Sequence, residues 1–325
     1  MTQDVSDALA ANFERYEIRE QLHDVPPHAV CEVRVDGRRA VCKVARGDTA
    51  DPGTEAAVID HVDRHTDLPV PSVLAAGDGY FVASWLDGVP GEDEAPDPDE
   101  IGASYARALG TVLARLHDAT AGAFVRPGFP RAGGGDGDPL RVDARDRWVA
   151  VVRERLDEVA AYLADTEWVD PVQAVRALVE DYPGLFAGAG DPVLCHGNVL
   201  PDHIGFTADA SGGPADLAAL VDFEHALVAP GEYDFWRTAI PLFGRPDAAS
   251  PRHTLSTFRA GYESVRPLPD GFERRRDGYR LLNLASYFVA LDVQNGEIGP
   301  DERPQANGMA EAVSETVESV RGRRR

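Results

Sequence analysis

The sequence predicts an α+β fold of two lobes, a small strand-rich one followed by a larger helical one. Three observations carry this expectation. Early segments such as Ala29 to Val35 (AVCEVRV) alternate apolar and polar residues, the period-two pattern of a half-buried strand. An acidic, proline-rich stretch over 87–100 (DGVPGEDEAPDPDE) then interrupts the pattern with residues that break regular structure. Beyond it, apolar residues recur at helical spacing. The expected division is therefore 1–86 for the first lobe, 87–100 for a hinge and linker, and 101–325 for the helical lobe.

Each element has its local reason. Ala29 to Val35 and Arg39 to Val44 (RAVCKV) flank Asp36-Gly37, a hairpin signal. Asp51-Pro52-Gly53-Thr54 is a helix-start cluster, with Val58, Ile59 and Val62 on one face of the helix that follows. Prolines keep 68–75 (LPVPSVLA) extended, and Gly79 to Leu86 (GYFVASWL) is an apolar strand. Past the linker, Tyr105, Ala108, Leu109, Val112, Leu113 and Leu116 mark one helix. Trp148, Val152, Leu156, Val159 and Leu163 mark another over about 146–164. A glycine-rich loop at 131–139 separates the two. Two short apolar strands follow, 192–195 (PVLC) and 217–223 (LAALVDF), with a small hairpin between them, and 234–321 reads as helical.

Charge narrows the function classes. The chain carries 55 acidic and 32 basic residues, a net charge of −23, and Lys43 is its single lysine, so 31 basic residues are arginine. Such self-repulsion opposes compaction in dilute buffer and is relieved in molar salt, as in a halophilic protein. No basic face is present for nucleic acid apart from the tail Arg321 to Arg325, which reads as electrostatic compensation of the last helix. The opening MTQDVSDALAANFERYE is polar and acidic, and no apolar run approaches the roughly 18 residues of a membrane span. Cys31, Cys42 and Cys195 lie in apolar stretches without metal spacing. Together these features point to a cytoplasmic chain with neither membrane nor nucleic-acid partner.

Four features stand in a telling order. Lys43 lies on the third predicted strand. Glu55 lies on the helix after it. His196-Gly197-Asn198-Val199-Leu200-Pro201-Asp202-His203 follows a strand of the second lobe. Val221-Asp222-Phe223-Glu224 follows the next strand, with Asp234 beyond it. Phosphoryl transfer needs a cation on the nucleotide phosphates and a carboxylate that fixes that cation. It also needs a carboxylate for Mg²⁺ and a group that orients the acceptor hydroxyl. Lys43 and Glu55 fit the first pair, Asp222 the metal, and the 196–203 loop the acceptor group. Taken singly, these residues say little: a strand lysine is ordinarily a surface residue with a buried stem, and Glu55 alone suits a helix start. The ordered set is specific.

These residues carry a resemblance to the aminoglycoside phosphotransferase family, in a haloarchaeal-type member. The matching blocks are VCK at Lys43, TEAAVIDHV at Glu55, FVASWLDG, LARLH, LCHGNVLPDHIGF and LVDFEHALVAPGEYDF, against family patterns HGDxxxxN and IDFExAxxGxxxYDL. The resemblance implies a two-lobed, protein-kinase-like fold with ATP or GTP between the lobes. It places the base against backbone groups of Ser84, Trp85 and Leu86, Mg²⁺ on Asp222, His196 in a packing role, and Asp234 behind the catalytic loop. The expected partner is a small molecule bearing a hydroxyl. Two positions depart from the pattern. Asn198 stands where the family has its catalytic Asp, and an amide orients a hydroxyl but takes no proton. His203 stands at the metal-binding Asn, as in macrolide phosphotransferases, although imidazole suits Mg²⁺ poorly. Asp202 is a conceivable substitute base. Two functions stay open, a phosphotransferase and a nucleotide-binding module without turnover. The Gly133 to Gly137 stretch is not a phosphate loop, because no lysine follows it. The 25–28 loop (VPPH) lacks glycine to close over phosphates. Tyr233, Trp236 and Arg237 are candidates for either acceptor pocket or core.

Overall fold

The computed structural model describes residues 2–47, 50–91, 94–133, 138–208, 213–243 and 252–324. The first lobe opens with α1 (Thr2–Asn12), a helix that the sequence reading does not anticipate. Only Val5, Ala8 and Leu9 give it an apolar stripe, and they pack on Ala29, Cys31, Val33, Ala40 and Cys42. Strands β1 (Tyr16–His23), β2 (His28–Val35) and β3 (Arg38–Ala45) follow as a meander. Asp36 and Gly37 both take positive φ, 48° and 82°, the twist-matched turn that an Asp-Gly pair favours. Helix α2 (Pro52–His65) comes next, then β4 (Val73–Gly77) and β5 (Tyr80–Ser84). The antiparallel sheet runs β1-β2-β3-β5-β4, so β3 is central. Lys43 pairs with Val30 on one side and Phe81 on the other.

Helix α2 starts as predicted. Asp51 accepts the Thr54 N–H through Oδ1 at 3.0 Å, and Pro52 occupies the first turn, where its missing donor costs nothing. Val58, Ile59 and Val62 are buried and join the main core together with Phe81 and Ala83. This puts one helix on each face of the sheet, and α2 is the second helix in the chain.

The second lobe begins with α3 (Ala103–Ala119). An antiparallel hairpin, β6 (Gly128–Ala132) and β7 (Leu140–Ala144), then flanks the expected glycine-rich loop, of which 134–137 lie outside the described residues. Helices α4 (Trp148–Tyr162) and α5 (Val169–Asp181) precede β8 (Pro192–Cys195), β9 (Ile204–Ala208), β10 (Pro214–Leu220) and β11 (Leu227–Pro230). The expected strand over 217–223 is β10, which ends at Leu220 and leaves Asp222 in a turn. Helices α6 (Gly231–Phe243), α7 (Arg252–Glu263), α8 (Phe272–Asn295) and α9 (Arg303–Arg324) complete the lobe. Strands β7-β6-β11-β8 form one sheet and β10-β9 a second. The three cysteines are free and buried. Among the described residues no helix is long and apolar enough to cross a membrane.

The main core runs from α2 through α3 and α4 to α6, α8 and α9, so both lobes press on one apolar body. The chain also bridges the lobes by a backbone hydrogen bond: the Leu220 N–H donates to Pro69 O at 2.9 Å. What this frame positions is a cleft with β3 and α2 on one wall and the loops after β8 and β10 on the other.

Candidate active site

Lys43 is the centre of the cleft. It is 7% exposed, and its Nζ lies 2.8 Å from Glu55 Oε2, 2.8 Å from Asp222 Oδ1 and 3.0 Å from Glu224 Oε2. The contact to Glu55 is an ion pair off hydrogen-bonding direction, so Glu55 Oε2 is a buried oxygen with no hydrogen-bond donor. Glu55 comes from α2, Lys43 from β3, and the other two carboxylates from the turn after β10. The ammonium therefore links the lobes. Burial opposes its charge, but Asp222, Glu55 and Glu224 outweigh that and raise its pKa well above the ordinary lysine value. Glu55 pays for its depth: burial pushes its carboxyl up to about 7 against the pull of Lys43. Burial works the same way on Glu224, but the His28 hydrogen bond and the Lys43 charge bring it down to about 2.

Asp222 adopts φ = 68°. A non-glycine residue in the left-handed region is uncommon and concentrates at functional turns. The strained turn aims one oxygen at Lys43 and the other, Oδ2, at His203 Nε2, 3.1 Å away. His203 donates its Nδ1–H to Asn198 O at 2.7 Å, which assigns the ring tautomer and turns Nε2 to the carboxylate. Burial disfavours the imidazolium, yet Asp222 and Asp202 overcome it and raise the His203 pKa. Asn198 is half-buried, and its side-chain amide makes no hydrogen bond among the described residues. Asp202 is more exposed, 3.6 Å from His203 Nε2.

The loop carrying Asn198 hangs from a buried carboxylate. Asp234 is 0% exposed and accepts the N–H groups of His196 at 2.7 Å and Gly197 at 2.8 Å. His117 Nε2 also donates to it at 3.1 Å, while the Tyr262 hydroxyl donates to His117 Nδ1 at 2.8 Å. Burial opposes the Asp234 charge, but the His117 hydrogen bond and the nearby His117, His196 and Gly197 N–H groups hold its pKa below the ordinary value. Gly197 has φ = 85°, and a Cβ there would sit 2.0 Å from His225 O, so only glycine fits. Its carbonyl accepts Arg237 Nε at 3.0 Å. His196 donates through Nε2 to Val221 O at 2.9 Å and packs on Phe223, with ring centroids 4.5 Å apart. His196 thus welds the 196–203 loop to the 221–224 turn.

At the hinge, the Ser84 N–H donates to Ser72 O at 2.9 Å and the Trp85 N–H to Arg39 O at 3.3 Å. Ser84 Oγ accepts the Ser72 N–H. Leu86 is the residue whose N–H makes no hydrogen bond among the described residues. The Arg39 guanidinium lies over the Trp85 ring, 3.4 Å from its centroid.

The structure thus brings Lys43, Glu55, Asp222, His203, Asn198, His196 and Asp234 into one continuous assembly, while Ser84 and Leu86 lie at and just after the end of β5, the strand paired with that of Lys43. Two further members escape the sequence reading. Glu224 stands two residues after Asp222 in the Val221 to Glu224 run, and nothing in that run alone gives it a role. His28, at the start of β2, reaches Glu224 Oε2 across the cleft through Nδ1 at 2.9 Å, a pairing that no local pattern encodes. Tyr233 and Trp236 are buried, and Trp236 stacks on Phe272. Both therefore belong to the core, and of the three it is Arg237 that touches the loop, at the Gly197 carbonyl.

The fold and this charged cleft define a protein-kinase-like two-lobed architecture. A family model described as the phosphotransferase enzyme family matches residues 28–268, and the chain belongs to that family, which includes the aminoglycoside phosphotransferases. Among solved structures it is similar to a thermostable mutant of aminoglycoside phosphotransferase APH(4)-Ia in ternary complex with ADP and hygromycin B. That match has a TM-score of 0.64 and 16% identity, over 96% of this chain and 98% of the other. Macrolide 2′-phosphotransferase MphH from Brachybacterium faecium gives a TM-score of 0.54 at 20% identity, over 96% and 98% of the two chains. No curated protein matches the sequence significantly.

Proposed function

We propose that the protein is a nucleotide- and Mg²⁺-dependent phosphotransferase that moves a γ-phosphoryl group to a hydroxyl of a small molecule. The observation that carries this reading is the buried Lys43 ammonium, held between Glu55 of one lobe and Asp222 and Glu224 of the other. A cation so placed, on a rigid central strand, suits polyphosphate between the lobes. The ADP complex of a structure with the same fold supports nucleotide as the ligand class. We assign residues 1–86, 87–100 and 101–325 to nucleotide lobe, hinge and catalytic lobe.

The donor set suits a divalent cation. Three carboxylates face one ammonium, so negative charge is in surplus, and Asp222 offers hard oxygen. When bound there, Mg²⁺ would neutralise charge on the transferred phosphoryl group. Asp222 would hold it with His203 at its flank, where the imidazole would have to release its Nε2 proton to solvent before that nitrogen could face the cation. Lys43 grips phosphate oxygens, and Glu55 anchors the ammonium to α2 so that it stays at the cleft. The hinge over Ser84 to Leu86 receives the base, with the open Leu86 N–H as donor. Asn198 accepts the acceptor hydroxyl through Oδ1 and orients its oxygen for attack. Asp234 and Arg237 fix the loop, so Asn198 arrives at a set position. Transfer that rests on positioning survives the loss of a base.

Asn198 supports a second reading, a nucleotide-binding module without turnover. One comparison separates the two. Wild type and Asn198→Asp are assayed for ATP turnover over a panel of hydroxyl compounds at high salt, with thermal shift in Mg-ATP alongside. We expect binding by both and measurable turnover by wild type, raised by roughly ten- to a hundredfold in Asn198→Asp, toward the lower range of base contributions. Turnover only in Asn198→Asp would establish the module reading, and no Mg-ATP shift in wild type would remove both.

A further inference from the structure

A second cluster of ligating side chains lies away from the cleft, on the outer part of α2. His61 and His65 are four residues apart, so they stand on one face of the helix, and their ring centroids are 4.4 Å apart. Asp138, leading into β7, comes up against them from the other lobe. Its Oδ2 lies 2.9 Å from His61 Nδ1, and one ring nitrogen of each histidine and one Asp138 oxygen all fall within 4.8 Å of one another.

The surroundings of the three side chains are those of metal ligands. His65 donates Nδ1–H to His61 O at 2.8 Å, which leaves the lone pair on Nε2. A ligating histidine is commonly fixed by such a bond from its other nitrogen. Asp138 Oδ1 accepts the Leu140 N–H at 3.0 Å, which orients the carboxylate and leaves Oδ2 for the histidines. His61 is 6% exposed, and its Nε2 is a buried atom with no hydrogen-bond partner. Among the described residues, the one hydrogen-bond partner of its ring is therefore Asp138. Two imidazoles and one carboxylate are a borderline-soft set that favours zinc-type ions over Mg²⁺ or Ca²⁺.

We propose that His61, His65 and Asp138 bind a divalent transition-metal ion of the zinc type, which staples α2 to the β6–β7 hairpin. The ion takes the place of the proton shared by His61 Nδ1 and Asp138. With bonds of about 2.0 Å, tetrahedral ligands stand about 3.3 Å apart, so the 2.9 Å pair opens by a few tenths of an ångström. The exposed His65 ring swings in to complete three protein ligands, and water takes the fourth position. The staple sits six residues from Glu55, about 9 Å along the helix. At the near end, the Ala132 N–H already donates to Thr54 Oγ1 at 3.1 Å. The ion thus fixes the far end of the helix that anchors Lys43.

The test uses the intact chain, freed of metal by chelator and held in high KCl to screen its acidic surface. Co²⁺ titration reads visible absorption, and Zn²⁺ is followed by thermal shift. Wild type is expected to show tetrahedral-type Co²⁺ bands and a raised melting temperature with Zn²⁺. His65→Ala changes one exposed ring, so it leaves the fold intact and is expected to lose more than roughly tenfold in affinity, as ligand-shell changes do. Asp138→Asn should do the same. Bands and shift that persist in both variants would place the ion in the cleft or on the acidic surface and overturn the proposal. Their absence in wild type would overturn it as well.

Discussion

An ammonium that is 7% exposed is stable at Lys43 only because carboxylates surround it, and the dependence runs both ways. Removing one partner of a buried pair leaves the other charge uncompensated, typically at about 3–5 kcal/mol. Lys43→Met is therefore expected to lower the melting temperature before any nucleotide is added, as well as to abolish Mg-ATP binding. Glu55→Gln in the same background should recover part of the loss. A double-mutant cycle by denaturant titration should return a coupling of roughly 1–3 kcal/mol; an additive cycle would mean that the 2.8 Å contact contributes little. Lys43→Arg keeps the charge but brings a larger, planar head into a pocket filled by three carboxylates, and should fold yet bind nucleotide roughly tenfold or more weakly. At this scale the sequence was informative where chemistry is scarce. A single lysine among arginines marks itself, and Asp222 follows a strand end. Glu224 and His28 were hidden because their meaning arises from contacts across nearly 200 residues of chain. Nor could spacing reveal that Ser84 spends its N–H on Ser72 and leaves Leu86 open.

Elements matter here through the loop that Asp234 suspends from the start of α6. Its carboxylate replaces water for two N–H groups and one imidazole, all buried. Asp234→Asn keeps the shape but withdraws charge, and one of its acceptors becomes a donor. We expect a loss of roughly 1–3 kcal/mol in denaturant titration and lower catalytic turnover with nucleotide affinity largely kept. The pH dependence has a definite sign. The folded pKa of Asp234 is depressed, so its contribution is fully present above the unfolded carboxylate value, roughly 3.9. It is lost as pH falls through the folded pKa. Wild type should accordingly lose its advantage over Asp234→Asn below about pH 4, measured as converging denaturation midpoints; a constant gap down to pH 2 would show that charge is irrelevant there. Elements were legible when long and periodic, as α2, α3 and α4 were. Helix α1 was not, because three apolar residues suffice to dock it. Strands β6, β7, β9 and β11 are four or five residues long, too short for a clear period-two pattern, and the partners of β11, β8 and β6, come from distant sequence.

For the whole molecule the governing quantity is the −23 net charge, which no local site explains. Individual ion pairs weaken with salt, so a protein held together mainly by them loses stability as KCl is added. A protein strained by like charge behaves oppositely: screening shortens the Debye length from about 10 Å at 0.1 M to about 3 Å at 1 M and relieves repulsion across the whole surface. Both effects are present, since arginines pair with acids throughout, as Arg145 does with Asp143 and Glu154 at 2.7 and 2.6 Å. The imbalance decides between them. With 55 acidic residues against 32 basic, carboxylates outnumber cations by 23, and repulsion dominates. The melting temperature is therefore expected to rise from 0.1 to 2 M KCl. A gain of about 2 kcal/mol would appear as roughly 3 °C for a chain of 325 residues, at an unfolding entropy of about 2.1 cal/mol/K per residue. Sucrose at matched osmolality separates screening from general exclusion effects, because it stabilises without shielding charge. A melting temperature that falls with KCl, or that sucrose reproduces fully, would mean that the acidity is carried without electrostatic cost to the fold. The rise should persist in Lys43→Met, because screening acts on the surface and leaves the buried cluster beneath it almost untouched.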